Sequence, residues 1–245
     1  WLWIEVLMLF GSGILGLGHH YFWIGTPEYW WEIGALFSAL EPVPLVAMFV
    51  HVLYDWGKEQ GHKEAGAGAG ETAHAMNNGP AMAWIVTNAF GNFLGAGIWG
   101  FFHTLPQVNV YTHGTQFTAA HGHLAFFGAY ATILIGMMYL GIQGAYGIKH
   151  LKATFKSKMG IFLVTFGVVG MTVALTIAGY EQVLIERAEL GAGWEAFFTA
   201  QNLPWYVQAQ TWRAIMGVVT FVGFIYLLWD LLTIGKQAQE AQAQS

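Results

Sequence analysis

The sequence predicts an all-α, polytopic transmembrane bundle of about six helices. Three observations carry this. Of 245 residues, 56% are hydrophobic and 9% charged, whereas soluble domains carry roughly 25% charged residues. Apolar runs of spanning length, about 20 residues, recur near 1–22, 29–56, 81–104, 116–146, 159–186 and 207–235. Many of the 12 Trp sit near the ends of these runs, where amphipathic rings favour the lipid–water boundary. The same composition narrows the function. No basic run suits nucleic acid, and with no Cys there is neither a disulfide nor a thiolate metal site.

Taken in order, the first run already contains residue 1 and no initiator Met precedes it. The chain is therefore expected to be incomplete at its N-terminus. The second run carries Glu41 about 13 residues in, roughly 20 Å along the helix at 1.5 Å per residue. Pro42 and Pro44 follow it and predict a kink. Residues 57–80, with the repeat Ala65-Gly66-Ala67-Gly68-Ala69-Gly70, read as a flexible loop. His62 and His74 fall in it and read as solvated polar residues. The remaining four runs are apolar on all sides, as expected for helices facing lipid or one another. Gly11-Ser12-Gly13 and the spacing Gly91 to Gly95 predict close helix contacts. Residues 1–235 thus form the membrane domain, and 236–245 a Gln/Ala-rich tail that should fray.

Positive charge orients the helices. If they alternate, Lys58, Lys63, Lys149, Lys152, Lys156, Lys158 and Lys236 share one side, and Arg187 and Arg213 the other. The Lys side should be cytoplasmic. His19 and His20 then close the first helix at the outer face. His121 and His123 lie one to two turns into the fourth helix, which enters from that same face. No histidine enters the charge count, so this agreement in depth is independent.

Polar side chains in lipid are costly and face a bundle interior or a functional site. Neutral imidazole is a good ligand for iron and copper. At about 100° per residue, His121 and His123 point to opposite faces, so one helix can serve two metal centres, such as two hemes flanking it. His19 and His20 converge on one ion only where the helix end loosens, which Gly16, Gly18 and Gly25-Thr26-Pro27 permit. The plain alternative is interfacial histidines bonded to backbone or water. Glu41, a carboxylate at mid-membrane depth, suits proton delivery or hydrogen bonding near a metal centre; a structural acid with a partner is the alternative. His113, in the loop before the fourth helix, can hydrogen-bond a heme propionate. Arg213, beside Trp212, can pair with such a propionate or simply anchor at the interface. His51, Asp55, His103, Glu181 and Asp230 read as structural or snorkelling residues near segment ends.

Four stretches resemble a known family: Gly18-His19-His20-Tyr21-Phe22-Trp23-Ile24-Gly25, Phe37-Ser38-Ala39-Leu40-Glu41-Pro42, Gly95 to Leu105, and Tyr111 to Tyr130. The chain resembles the catalytic subunit of respiratory nitric oxide reductases, a branch of the heme–copper oxidase superfamily. The resemblance covers nearly everything outside 57–80. It implies His121 as proximal ligand of a high-spin heme b3 and His123 as one axial ligand of a low-spin heme b. It implies His19 and His20 on a non-heme iron, Glu41 close to that binuclear centre, and His113 near the heme b3 propionates. The implied reaction reduces two nitric oxide molecules to nitrous oxide and water, in a bacterial or archaeal cytoplasmic membrane, with quinol or cytochrome c as donor.

The chain also departs from that family. The family's iron needs a third His and a nearby Glu from an earlier helix, and heme b needs a second His. None of the six runs supplies these. The sequence therefore looks like the C-terminal half of a twelve-or-more-helix core, with the missing ligands on an upstream segment or another chain. The loop 57–80 is long for the family, and Tyr180-Glu181-Gln182 puts an acid where an apolar residue is usual. Three other readings compete. One is an oxygen-reducing, copper-containing member of the superfamily. Another is a heme-binding electron carrier or sensor without turnover. The third is a transporter using Glu41 and His51 for protons.

Overall fold

The computed structural model describes residues 2–44, 46–48, 50–51, 54, 57–58, 78–189 and 193–243. Among them every regular element is helical, and one isolated bridge, Asn78 with Leu151, is the sole strand-like contact. Helix α1 (Leu2–Gly16) tightens into a 3-10 turn over Leu17–Tyr21. Helix α2 (Glu28–Ser38) breaks at 39–41, ahead of Pro42, and resumes, so the span as a whole is Glu28–Met48. Helix α3 runs Gly79–Thr104, the short α4 Pro106–Thr112, and α5 Gln116–Ala145. Helix α6 spans Phe155–Glu186, α7 is Trp194–Asn202, and α8 is Pro204–Ala243.

Five of these, α2, α3, α5, α6 and α8, are long and apolar enough to cross a membrane among the described residues. The sixth apolar run is α1, whose regular α-helical part is 15 residues. Helix α8 continues into the tail, through Ala243, where fraying is the expectation from sequence. Most of the loop 57–80 lies outside the described residues, with His62 and His74; so does Asp55.

Without a hydrophobic force between helices in lipid, association relies on close packing of small residues. Glycine provides that here. A Cβ on Gly91 would overlap Gly128 Cα, so α3 lies directly against α5. On Gly179 it would overlap Phe117 N, so α6 lies against the start of α5. On Gly34 it would overlap His19 N, which seats the 3-10 turn on α2. Gly11 and Gly13, by contrast, meet nothing within 4 Å. The contact expected there is not made among the described residues, because that face of α1 has no helix beside it.

The Lys-bearing ends of α3, α5, α6 and α8 are tied by buried polar groups. Asp230 is 1% exposed. It accepts hydrogen bonds from Tyr139 Oη at 2.8 Å and Thr154 Oγ1 at 2.5 Å. Asn78 donates to Gln143 Oε1 and to the Tyr139 carbonyl, and accepts from Ala81 N, capping α3. Trp84, Ile135, Val164, Leu227 and Ile234 pack around them. At a membrane interior such groups need partners inside the protein; Asp230 and Asn78 find them, while the buried Trp84 Nε1 beside them finds none among the described residues.

The contact of Gly91 with Gly128 generates a prediction. Gly128→Ala should destabilise the bundle by about 1–3 kcal/mol, the usual penalty of overpacking. Gly141→Ala, where a Cβ meets nothing within 4 Å, should be neutral or slightly stabilising. Thermal unfolding in detergent compares the two. Equal behaviour would contradict the close-packing account.

Candidate functional site

The end of α1 is pressed onto α2 so closely that a Cβ on Gly18 would overlap Trp30 O. The helix therefore does not loosen at His19 and His20, as sequence suggests; it tightens. The two rings nonetheless come together, with centroids 4.0 Å apart. His19 Nδ1 lies 2.7 Å from Gly16 O and 2.6 Å from Ser38 Oγ, and Ser38 Oγ donates to Glu41 Oε1 at 3.2 Å. One proton arrangement satisfies all three contacts. Nδ1–H is shared between Gly16 O and Ser38 Oγ, and the hydroxyl hydrogen goes to Glu41 Oε1. The Nε2 lone pair of His19 is then free, since a neutral imidazole carries one hydrogen.

Two more histidines follow the same rule. His121 Nδ1 is 3.0 Å from Gly95 O, across the α3–α5 contact. His123 Nδ1 is 2.8 Å from Ala119 O, one turn back on its own helix. A backbone carbonyl accepts only, so both Nδ1 atoms are donors and both Nε2 atoms keep a lone pair. That is the tautomer of a metal-ligating imidazole, whose other ring nitrogen is held by an acceptor. The reach of His121 depends on Gly95, where a Cβ would fall 2.8 Å from Ala125 N.

His121 and His123 look to opposite sides. His121 faces α3, where the His103 ring lies 5.0 Å from its own. His123 lines a cleft of about 550 Å³ with Phe126, Phe127, Val168, Met171 and Phe224, between α5, α6 and α8. A wide π-type stretch begins at His123 and runs to Ala131, facing a second one at Asn92–Trp99. Such widened turns are frequent at functional sites. On the α3 side, His19, His20 and His121 lie close enough to interact electrostatically, and His103 does so with His121, His113 and His19. The first and fourth apolar runs thus meet in space.

The sequence also singles out His113, Arg213 and Glu41. His113 is half-buried in the turn before α5, its N–H held by Asn109 O at 2.8 Å. Arg213 is exposed and donates to Gln210 Oε1 at 3.2 Å on its own helix. Glu41 is half-buried, at the last residue of the break in α2, and within hydrogen-bond distance of Ser38 Oγ. Two residues carry more than the sequence suggests. Ser38 stands three positions before Glu41, a spacing that puts both on one helical side. His103 does border the loop after α3, but it is 6% exposed and its ring lies 5.0 Å from that of His121. Among the described residues no group of three or more His, Cys, Asp or Glu could hold a metal ion.

Comparison with known proteins gives the family. The pattern of the cytochrome c and quinol oxidase polypeptide I family matches residues 1–225. A nitric oxide reductase chain of Stutzerimonas stutzeri is 36% identical over 240 residues, which is 96% of this chain and 47% of that protein. A cbb3-type cytochrome c oxidase chain of the same organism is 22% identical over 231 residues, 92% of this chain and 46% of that protein. The chain spans about half the length of the curated relatives it matches.

The Ser38 hydroxyl is the element most easily tested. Ser38→Ala removes it, and Gly16→Ala crowds it, since the new Cβ would fall 2.7 Å from Ser38 Oγ and 3.3 Å from Glu41 Oε1. Both variants should shift the infrared band of the Glu41 carboxyl in the same direction. An unmoved band in both would mean that the hydroxyl does not hold the carboxyl.

Proposed function

Because this chain belongs to the cytochrome c and quinol oxidase polypeptide I family, we propose that it carries half of the catalytic core of a respiratory nitric oxide reductase. The observation that supports this most is the common tautomer. His19, His121 and His123 each give Nδ1–H to an acceptor and keep Nε2 free. In this reading His121 holds heme b3 and His123 holds heme b, in the apolar cleft on the other side of α5. His19 and His20 hold a non-heme iron. When bound, these groups supply the redox chemistry, in which two nitric oxide molecules, two electrons and two protons give nitrous oxide and water.

The chain's own residues orient and feed that chemistry. Gly16 O and Ser38 fix the ring of His19, and Gly95 O fixes that of His121. Glu41 holds a proton beside the His19 ring, with Ser38 as the link between them. Its carboxyl acts as the local proton donor, a role that contributes typically 10²–10⁴-fold in rate. His113 and Arg213 serve the propionate side at the outer face. The remaining iron ligand and the second axial ligand of heme b come from another part of the core or another chain. The protein spans the cytoplasmic membrane many times, with the Lys-rich ends inside and the histidines toward the outer face. Quinol or cytochrome c delivers the electrons.

The second reading is an oxygen-reducing member of the same family. The cbb3-type relative favours it, though at lower identity than the nitric oxide reductase relative. Metal and heme analysis of the complex purified from its native membrane separates the two. Iron in excess of two b hemes, without copper, is the expected result. Stoichiometric copper would turn the assignment to oxygen reduction, and absence of heme would overturn both.

Within the same complex, Glu41→Gln should lower kcat for nitric oxide reduction by about 10²-fold, the lower edge for a lost general acid, with heme and iron retained. Replacing His19 or His20 by Ala should remove non-heme iron and turnover while leaving the heme b spectrum intact. Unchanged turnover in the histidine variants would rule out a catalytic iron at His19 and His20.

A further inference from the structure

One residue outside the histidine set touches three of the segments that carry it. Asn109 lies on α4 and is 6% exposed. Its Oδ1 accepts from Trp23 Nε1 at 2.8 Å, and its Nδ2 donates to His103 O at 2.8 Å. The orientation of this amide is unambiguous, because an indole N–H only donates and a backbone carbonyl only accepts. The main chain of Asn109 is engaged as well. Its N–H goes to Leu105 O at 2.8 Å, and its carbonyl accepts His113 N–H at 2.8 Å.

The partner, Trp23, follows His19 and His20 in the turn between α1 and α2. Its φ is +66°, and it is the one non-glycine residue in the left-handed region among the described residues. A bulky side chain rarely adopts that conformation. It persists only where the surroundings over-determine it, and such positions cluster at functional sites. Here the determinants are the bond to Asn109 and stacking against Phe22 and Trp31, at 5.7 and 6.1 Å between ring centroids. Phe22, between His20 and Trp23, is fully buried. The strained turn is thus held from two sides, and one of them is the amide that also grips the end of α3.

We propose that Asn109 is a positioning residue that sets the His19–His20 turn against the His103–His121 side of the site, through Trp23. This goes beyond the reading above and rests on it, since the consequence is read at the iron assigned there to His19 and His20. Without the link, the turn relaxes toward an ordinary backbone conformation, and the His pair moves relative to α3 and α5. Heme b, on the opposite face of α5, is not affected.

The test uses the whole complex from its native membrane, in which chelator-driven loss of non-heme iron is timed against heme content and the low-spin heme spectrum. Trp23→Phe keeps the aromatic ring and removes the donor. Asn109→Leu removes both amide contacts. Each should release iron about tenfold faster than the native complex, the lower edge for lost support of a metal ligand, with both hemes retained. The double variant should release iron no faster than the faster of the two single variants, because the two act through one bond. Asn109→Asp, which keeps an acceptor for Trp23, should release iron more slowly than Asn109→Leu. If Asn109→Leu does not assemble, Trp23→Phe decides, since its side chain is 49% exposed. Native release rates in Trp23→Phe, or iron and hemes lost in parallel, would overturn the positioning role. A native complex with no iron beyond its hemes would instead overturn the reading on which it rests.

Discussion

An imidazole inside a membrane has one N–H that no water will take. Everything at this site depends on where that hydrogen goes. In His19, His121 and His123 it goes to an acceptor within the bundle, a backbone carbonyl in each case. The alternative, an unpaired donor in a low-dielectric interior, costs about 1–3 kcal/mol. The hydrogen bond thus satisfies the side chain and at the same time chooses which nitrogen is left to bind something else. Stability and chemistry are served by the same contact.

That contact makes demands on the helices. A carbonyl of α3 can reach His121 only if α3 and α5 nearly touch, and Gly91, Gly95 and Gly128 permit this. The 3-10 turn at His19 reaches Ser38 only because Gly18 and Gly34 allow α1 to lie on α2. Small residues at these crossings are therefore part of the site, although none has a functional group.

Much of this was legible in the sequence. The apolar runs overlap the five helices long enough to span, since the lipid phase imposes length and apolarity on each span, whereas the short α4 and α7 left no such signal. Helical geometry separated His121 from His123, and they do face different neighbours. What was not legible came from tertiary approach. Nothing local marks Ser38 or Asn109 as distinct from any other polar residue near a helix end, because their partners are 19 and 86 positions away for His19 and Trp23. His103 was underestimated because its burial depends on α4 folding back beneath it. Gly11 and Gly13 misled for the converse reason, as a small-residue spacing has no meaning without a facing helix. The kink at Glu41 was predictable from Pro42, but its result, a carboxylate turned toward Ser38, was not.

The Asp230 cluster lets one end of the bundle hold together without the other. It lies at the far end of the bundle from His121, roughly 27 Å along α5 from His121 to Tyr139 at 1.5 Å per residue. It draws on α5, the connection to α6, and α8, so those three segments close on one another through a carboxylate that needs no prosthetic group. The bundle is thereby latched at the Lys-bearing end, and the latch draws on none of the histidines at the other end.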